Sequence, residues 1–290
     1  MKTATTGSAL LVAVAAISLA ATFFKLAAPT HPLAMAAIRL AIAGVALLPW
    51  GIAAYRNGTL RGSRLRGAVL AGIAYGVHFG AWVSSLTLTS VAASVTLVTT
   101  TPLLLAVVSL ATGRDRPTRR LWAALAVAAL GVALIGGTDS MAPTGALLGD
   151  LLAFLGAAAI AVYFLISRAQ GDRLPIAGYS SVACLVGAAL LFAAGFVAGI
   201  DMAPASSTSL FYIALSALIP QLIGHTLLTW SLRHASPTQV AMAVVGEPAG
   251  ATFVAWLWLD ESVPLLIALG CIITLAAVVA ATVRRPQAQS

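Results

Sequence analysis

Glu247, Arg39 and Lys25 are ionisable side chains set inside long apolar runs, and chemistry in this chain has to be sought there first. At a bilayer centre such a group costs about 2.5–3.5 kcal/mol on insertion scales. Each one needs a partner, a cavity or an exit to the headgroups. Glu247 stands between Gly246 and Pro248, near the middle of its apolar stretch. Pro lacks the N–H that would bond the carbonyl of Val244 and so opens the helix locally. Open backbone is tolerated at membrane depth where it lines a cavity. A carboxylate there can bind a solute ammonium or carry a proton; alternatively it pairs with Arg39 or Lys25 and fixes helix packing. Arg39 is deeper in its run than Lys25, and its guanidinium suits a carboxylate, from a solute or from Glu247. Lys25 can attract a solute carboxylate, or its long stem can carry the ammonium to the outer headgroups.

A second group of residues offers a polar and aromatic wall. His78 shares a helix face with Tyr75 and Trp82, at i−3 and i+4. The neighbouring Gly72, Gly76 and Gly80 form a separate small face for close helix packing. His78 either lines a pocket or makes an interhelical hydrogen bond. Gln221 and His225 are spaced i, i+4 behind Pro220, with the same two readings. Ser94, Thr96, Thr99, Thr100 and Thr101 precede Pro102. Their hydroxyls can satisfy the carbonyl that the proline frees, or contact a polar solute. Tyr163, Trp230 and Trp256 are further aromatics at pocket depth, whereas Trp50, Trp122 and Trp258 read as interfacial belt. Asp150 reads as an interfacial residue.

These residues need elements to hold them, and composition decides which. Charged residues are 8% of the 290, against about a quarter in soluble proteins, and hydrophobic residues are 60%. Mean hydropathy is +1.01. That excludes a soluble globular domain, a disordered chain and, with two Cys, a disulfide scaffold. Cys184 and Cys271 lie in apolar runs and read as packing residues. Nothing alternates with period 2, so a β-barrel is not expected. With about 20 apolar residues per crossing, the runs divide into ten helices at 7–28, 33–55, 66–87, 91–112, 119–137, 145–167, 175–200, 208–231, 237–259 and 263–282, with a tight turn at 89–90 between the third and fourth. The first is read as a retained span, because its apolar run exceeds that of a signal peptide.

With the N-terminus in the cytoplasm, 14 of the 16 basic residues fall on the cytoplasmic side: Lys2, Arg56, Arg61, Arg64, Arg66, Arg114, Arg116, Arg119, Arg120, Arg168, Arg173, Arg233, Arg284 and Arg285. The outer loops carry Asp139, Asp201, Asp260 and Glu261 and no basic residue. This positive-inside pattern places both termini in the cytoplasm. It accounts for the net charge of +8 through topology and lipid headgroups, with no nucleic-acid partner.

Five helices per half makes any repeated half inverted in the membrane. Residues 95–105 read V-T-L-V-T-T-T-P-L-L-L and residues 241–251 read A-M-A-V-V-G-E-P-A-G-A, so Pro102 corresponds to Pro248. Lys25, near the end of helix 1, likewise corresponds to Arg168 near the end of helix 6. The expected organisation is two five-helix repeats, 1–140 and 141–290, around a central cavity, which is a mark of secondary transporters. Gly246, Pro248 and Pro102 are its expected kinks.

The sequence resembles the drug/metabolite transporter superfamily, EamA type. The resemblance rests on H-P-L-A-M-A-A-I-R-L at 31–40, T-P-L-L-L at 101–105, G-E-P at 246–248 and W-L-W-L-D-E-S at 256–262, in that order along the whole chain. Helix 1 has Ser18-Leu19 where many members carry a Trp-Gly pair, and helix 4 ends in G-R-D-R-P where many carry Gly-Glu. The resemblance implies export of amino acids or other small metabolites across the inner membrane. Alternating access would expose a site built from Glu247, Arg39, His78, Tyr75, Trp82, Lys25, Thr99, Tyr163, Gln221 and His225. Efflux of drugs or other metabolites is the alternative within the family; a channel-like or receptor-like scaffold, or a membrane-embedded enzyme, is the alternative outside it. No phosphate loop, His-Glu-x-x-His, Gly-x-Ser-x-Gly or Cys/His ligand spacing occurs. The expectation is a carrier of a small molecule, with no cofactor, no metal and no enzymatic activity.

Overall fold

The computed structural model of the chain describes residues 2–88, 94, 97–136, 146–171, 175–260 and 262–282. Thr96, Asp139, Arg173, Glu261, Arg284, Arg285 and the turn at 89–90 lie outside the described residues. Among the described residues every regular element is a helix. The first half contains α1 (Lys2–Ile17), α2 (Ala20–Leu26), α3 (Pro32–Ala46), α4 (Leu48–Arg56), α5 (Ser63–Ser85), α6 (Thr101–Thr112) and α7 (Arg119–Gly136). The second contains α8 (Ala146–Ala169), α9 (Ile176–Val197), α10 (Ser207–Ser216), a π-helix (Ala217–His225), α11 (Thr226–Ser231), α12 (Pro237–Val244), α13 (Glu247–Leu259) and α14 (Leu265–Thr282).

Six of the described helical stretches are long and apolar enough to cross a membrane, and seven when the bent pair α3–α4 counts as one. Helices α6, α7 and α14 occupy the positions of the other three expected spans.

Several of the expected spans are interrupted, mostly at prolines. The α3–α4 pair bends by 54°. Pro49 stands at the start of α4, where its ring excludes continuation of the α-helical bond to the carbonyl of Val45. The span at 208–231 changes to π geometry around Pro220, which cannot bond the carbonyl of Ser216. The helix expected through Pro102 is interrupted by a turn at 99–100, between helical residues 97–98 and the segment that restarts at Thr101. The helix expected through Pro248 breaks at Val245–Gly246 and restarts at Glu247. Helix 1 breaks at Ser18–Leu19 without a proline; Ser18 Oγ donates to the carbonyl of Val14 at 2.8 Å and lies 3.4 Å from that of Glu247.

Packing interleaves the two halves. Helix α5 runs along α8 and α9. Its counterpart in the second half, α10 with the π-helix and α11, runs along α1 and α3. Helices α3 and α9 pack on each other, as do α6 and α12, and α7 and α14. Each of these pairs joins equivalent positions of the two halves. The glycine face of α5 makes its close approach to α9. A Cβ on Gly72 would lie 2.8 Å from the Ala183 carbonyl, and one on Gly76 would lie 3.0 Å from the Gly187 carbonyl. Backbones this close give the dense contact that joins helices where lipid removes the hydrophobic drive.

Candidate substrate cavity

Three alanines, Ala20 and Ala21 of α2 and Ala251 of α13, leave room at the centre of the bundle. The cavity they open has a free volume of about 50 Å³, enough for a few water molecules at roughly 10–15 Å³ each. Polar lining comes from Arg39 of α3, His78 and Trp82 of α5, Thr99 ahead of α6, His225 at the end of the π-helix and Glu247 at the start of α13. Six expected site residues, from five separate stretches of sequence, therefore meet at one place. Pro248 lines the cavity with them.

Arg39 is fully buried. Its Nε donates to Gln221 Oε1 at 3.2 Å. Its guanidinium carbon lies 4.6 Å from the ring centre of Phe79 and 5.5 Å from that of Phe24, in cation–π contact with both. Nη1 and Nη2 are buried and have no protein partner. Arg39 and Glu247 line the same cavity, yet among the described residues no ion pair joins them. The expected alternative of a packing pair between them is thus not what the structure shows.

Trp82 Nε1 and His225 Nδ1 are likewise buried without a partner. Buried polar atoms are almost always bonded, so four such atoms on three lining residues mark a polar site. His78 is both of the things expected of it. Its Nδ1 lies 2.9 Å from the Gly156 carbonyl, and because a carbonyl only accepts, Nδ1 carries the proton. Its ring is stacked between those of Tyr75 and Trp82.

Tyr75, Tyr163 and Gln221 do not line the cavity; they form the layer behind it. Tyr75 stacks on Tyr163 at 4.3 Å between centroids. Its hydroxyl accepts from Gln221 Nε2 at 2.7 Å. Tyr163 shares a hydrogen bond with Thr229 at 2.8 Å, and Tyr179 shares one with Ser167 at 2.9 Å. Lys25 is exposed at the end of α2 and is not part of the lining. Trp256 is also exposed, facing outward on α13. Phe79 and Phe24 were not anticipated as site residues. In sequence they are apolar residues among many, and only their stacking on Arg39 distinguishes them.

The breaks before Pro102 and Pro248 bring Thr99 and Glu247 to the cavity. Pro102 leaves the Val98 carbonyl without its helical donor, and Thr101 Oγ1 takes the place of that donor at 2.8 Å. Pro102 itself and Gly246 lie to the side, in neighbouring grooves.

The sequence matches the EamA-like transporter family twice, over residues 6–137 and 147–283. The chain belongs to that family. It is a multi-pass cell-membrane protein of a family of small-solute transporters, and the double match reflects a repeated unit. A solved structure, titled only as the crystal structure of a protein, superposes with a TM-score of 0.77 at 19% identity, over 96% of this chain and 97% of that one. That similarity establishes a shared fold. No curated protein matches the sequence.

Proposed function

We propose that this EamA-like transporter exports amino acids or closely related small zwitterions as a secondary carrier. The observation that supports it is the pairing of unlike charges on one cavity. Arg39 presents two unpartnered terminal nitrogens, and Glu247 sits on the same wall without joining them in an ion pair. A zwitterion satisfies both at once, carboxylate to guanidinium and ammonium to carboxylate. Phe79 and Trp82 supply the apolar surface that a side chain needs.

The free volume of about 50 Å³ holds only a few waters, too little for an amino acid with a large side chain. Loading therefore requires helices to part, which favours a carrier over a fixed pore. The two repeats, 1–140 and 141–290, with ten spans and both termini in the cytoplasm, would move against each other around this site.

Counterflow in proteoliposomes tests the reading. Vesicles preloaded with unlabelled amino acids are offered labelled ones, with native protein and with Glu247→Gln. The expected result is accumulation by native protein that the variant loses by at least tenfold. Accumulation by both would make Glu247 structural. No accumulation with any amino acid would overturn the cargo.

A further inference from the structure

Gln221 does not line the cavity, and its side chain is spent on the protein. It is buried. Arg39 Nε–H can only donate, so the Gln221 atom 3.2 Å away must be the carbonyl oxygen. That fixes the amide the other way round toward α5, where Nε2 donates to Tyr75 at 2.7 Å. Tyr75 is held in turn by its stack on Tyr163. The amide is thus clamped at both ends.

The consequence falls on Arg39. Its one inner N–H is tied to Gln221, and its guanidinium carbon lies over the rings of Phe79 and Phe24. The hydrogen bond and the two ring contacts together restrict how the guanidinium can turn. What remains is the Nη1–Nη2 edge, unpartnered and belonging to a residue that lines the cavity. That edge is the one that binds a carboxylate through two parallel hydrogen bonds. Gln221 reaches this place from the π-helix around Pro220, and π segments recur at functional sites because they re-phase the side chains they carry.

We propose that Gln221 is the positioning residue for Arg39, and that the site thereby selects solutes with a free carboxylate. Amides and esters, which offer one neutral acceptor in place of two charged ones, are discriminated against. This rests on the amino-acid carrier reading of the same cavity.

The experiment is counterflow with the full-length protein and one labelled amino acid that the native protein carries, using that amino acid and its α-amide as unlabelled competitors. Variants are Gln221→Met, which keeps the size and removes the acceptor, and Tyr75→Phe, which keeps the ring stack and removes the amide's second anchor. Native protein should prefer the free acid at least tenfold. Gln221→Met should raise KM about tenfold, leave the maximal rate per folded protein within twofold, and collapse the acid-to-amide preference toward one. Tyr75→Phe should move the preference the same way by a few-fold, and it carries the test if Gln221→Met fails to fold. An unchanged preference in the folded variants would overturn the positioning role while leaving the carrier reading intact. A native protein inert to every amino acid would overturn that reading and this inference with it.

Discussion

Arg39 carries five N–H donors, and the protein occupies one of them. A buried charged group left so incompletely bonded is costly, by about 1–3 kcal/mol or more per unmade bond. It persists here because two aromatic faces and a glutamine hold it in place. Lysine in its stead would have neither the planar fork nor the same stacking. Arg39→Lys is therefore expected to fold and to raise KM for transport about tenfold or more, corresponding to one or more lost charge-assisted bonds of about 1.5–3 kcal/mol each. Concentration dependence of counterflow measures it, and an unchanged KM would remove Arg39 from the binding site. Of the charges in apolar runs, the sequence places Glu247 and Arg39 deeper than Lys25. Burial agrees: Lys25 is exposed and Arg39 is fully buried.

At the scale of elements, the helices are shaped by where they stop. Prolines at the starts of α4, α6 and α13 convert expected continuous spans into segments, and two of those breaks bring residues to the cavity. Glycines do the opposite work and hold helices together. On α5, Gly76 faces the backbone of Gly187 on α9, so an added side chain meets main chain that cannot rotate away. Gly76→Leu is expected to lower thermal stability in detergent by about 1–3 kcal/mol, as overpacking does. The exposed Gly58, with open space around it and a positive φ of 79°, is the contrasting site. Gly58→Ala should cost only the strain of a left-handed alanine, about 1 kcal/mol. Equal melting of native protein and Gly76→Leu would show that the α5–α9 contact is looser than the structure has it. The glycine stripe was legible from its four-residue spacing. Its partner was not, because a small face fits any other small face and nothing local names which.

At the scale of the whole molecule, the halves exchange helices. The buried side of α5 rests on α8 and α9, and the buried side of the π-helical span rests on α1 and α3. Neither half alone covers these faces. Arg168, at the end of α8, adds a polar tie across the molecule: it donates to the carbonyls of Leu232 at 2.7 Å and Arg233 at 3.3 Å, and lies 4.0 Å from Asp115. Residues 1–140 expressed alone are expected to be degraded or to aggregate, whereas co-expression with 141–290 should restore a complex that co-purifies and transports. Stable, monodisperse 1–140 by itself would contradict the interleaved packing.

The sequence by itself determined the solvent, the helical class and the charges that need explaining. Lipid admits only chains whose backbone bonds itself, so an apolar composition with helical runs fixes a helical bundle. The pseudo-repeat of Pro102 and Pro248 was also visible, because proline acts on its own helix wherever that helix goes. Tertiary structure alone decided which polar residues meet. Arg39 and Gln221 are 182 residues apart and His78 and Gly156 are 78 apart, and no local periodicity links such pairs. It also decided that Gln221 and Tyr75 stand behind the cavity and Trp82 on its wall, since depth from a central space depends on how neighbouring helices are rotated and where alanines leave a gap.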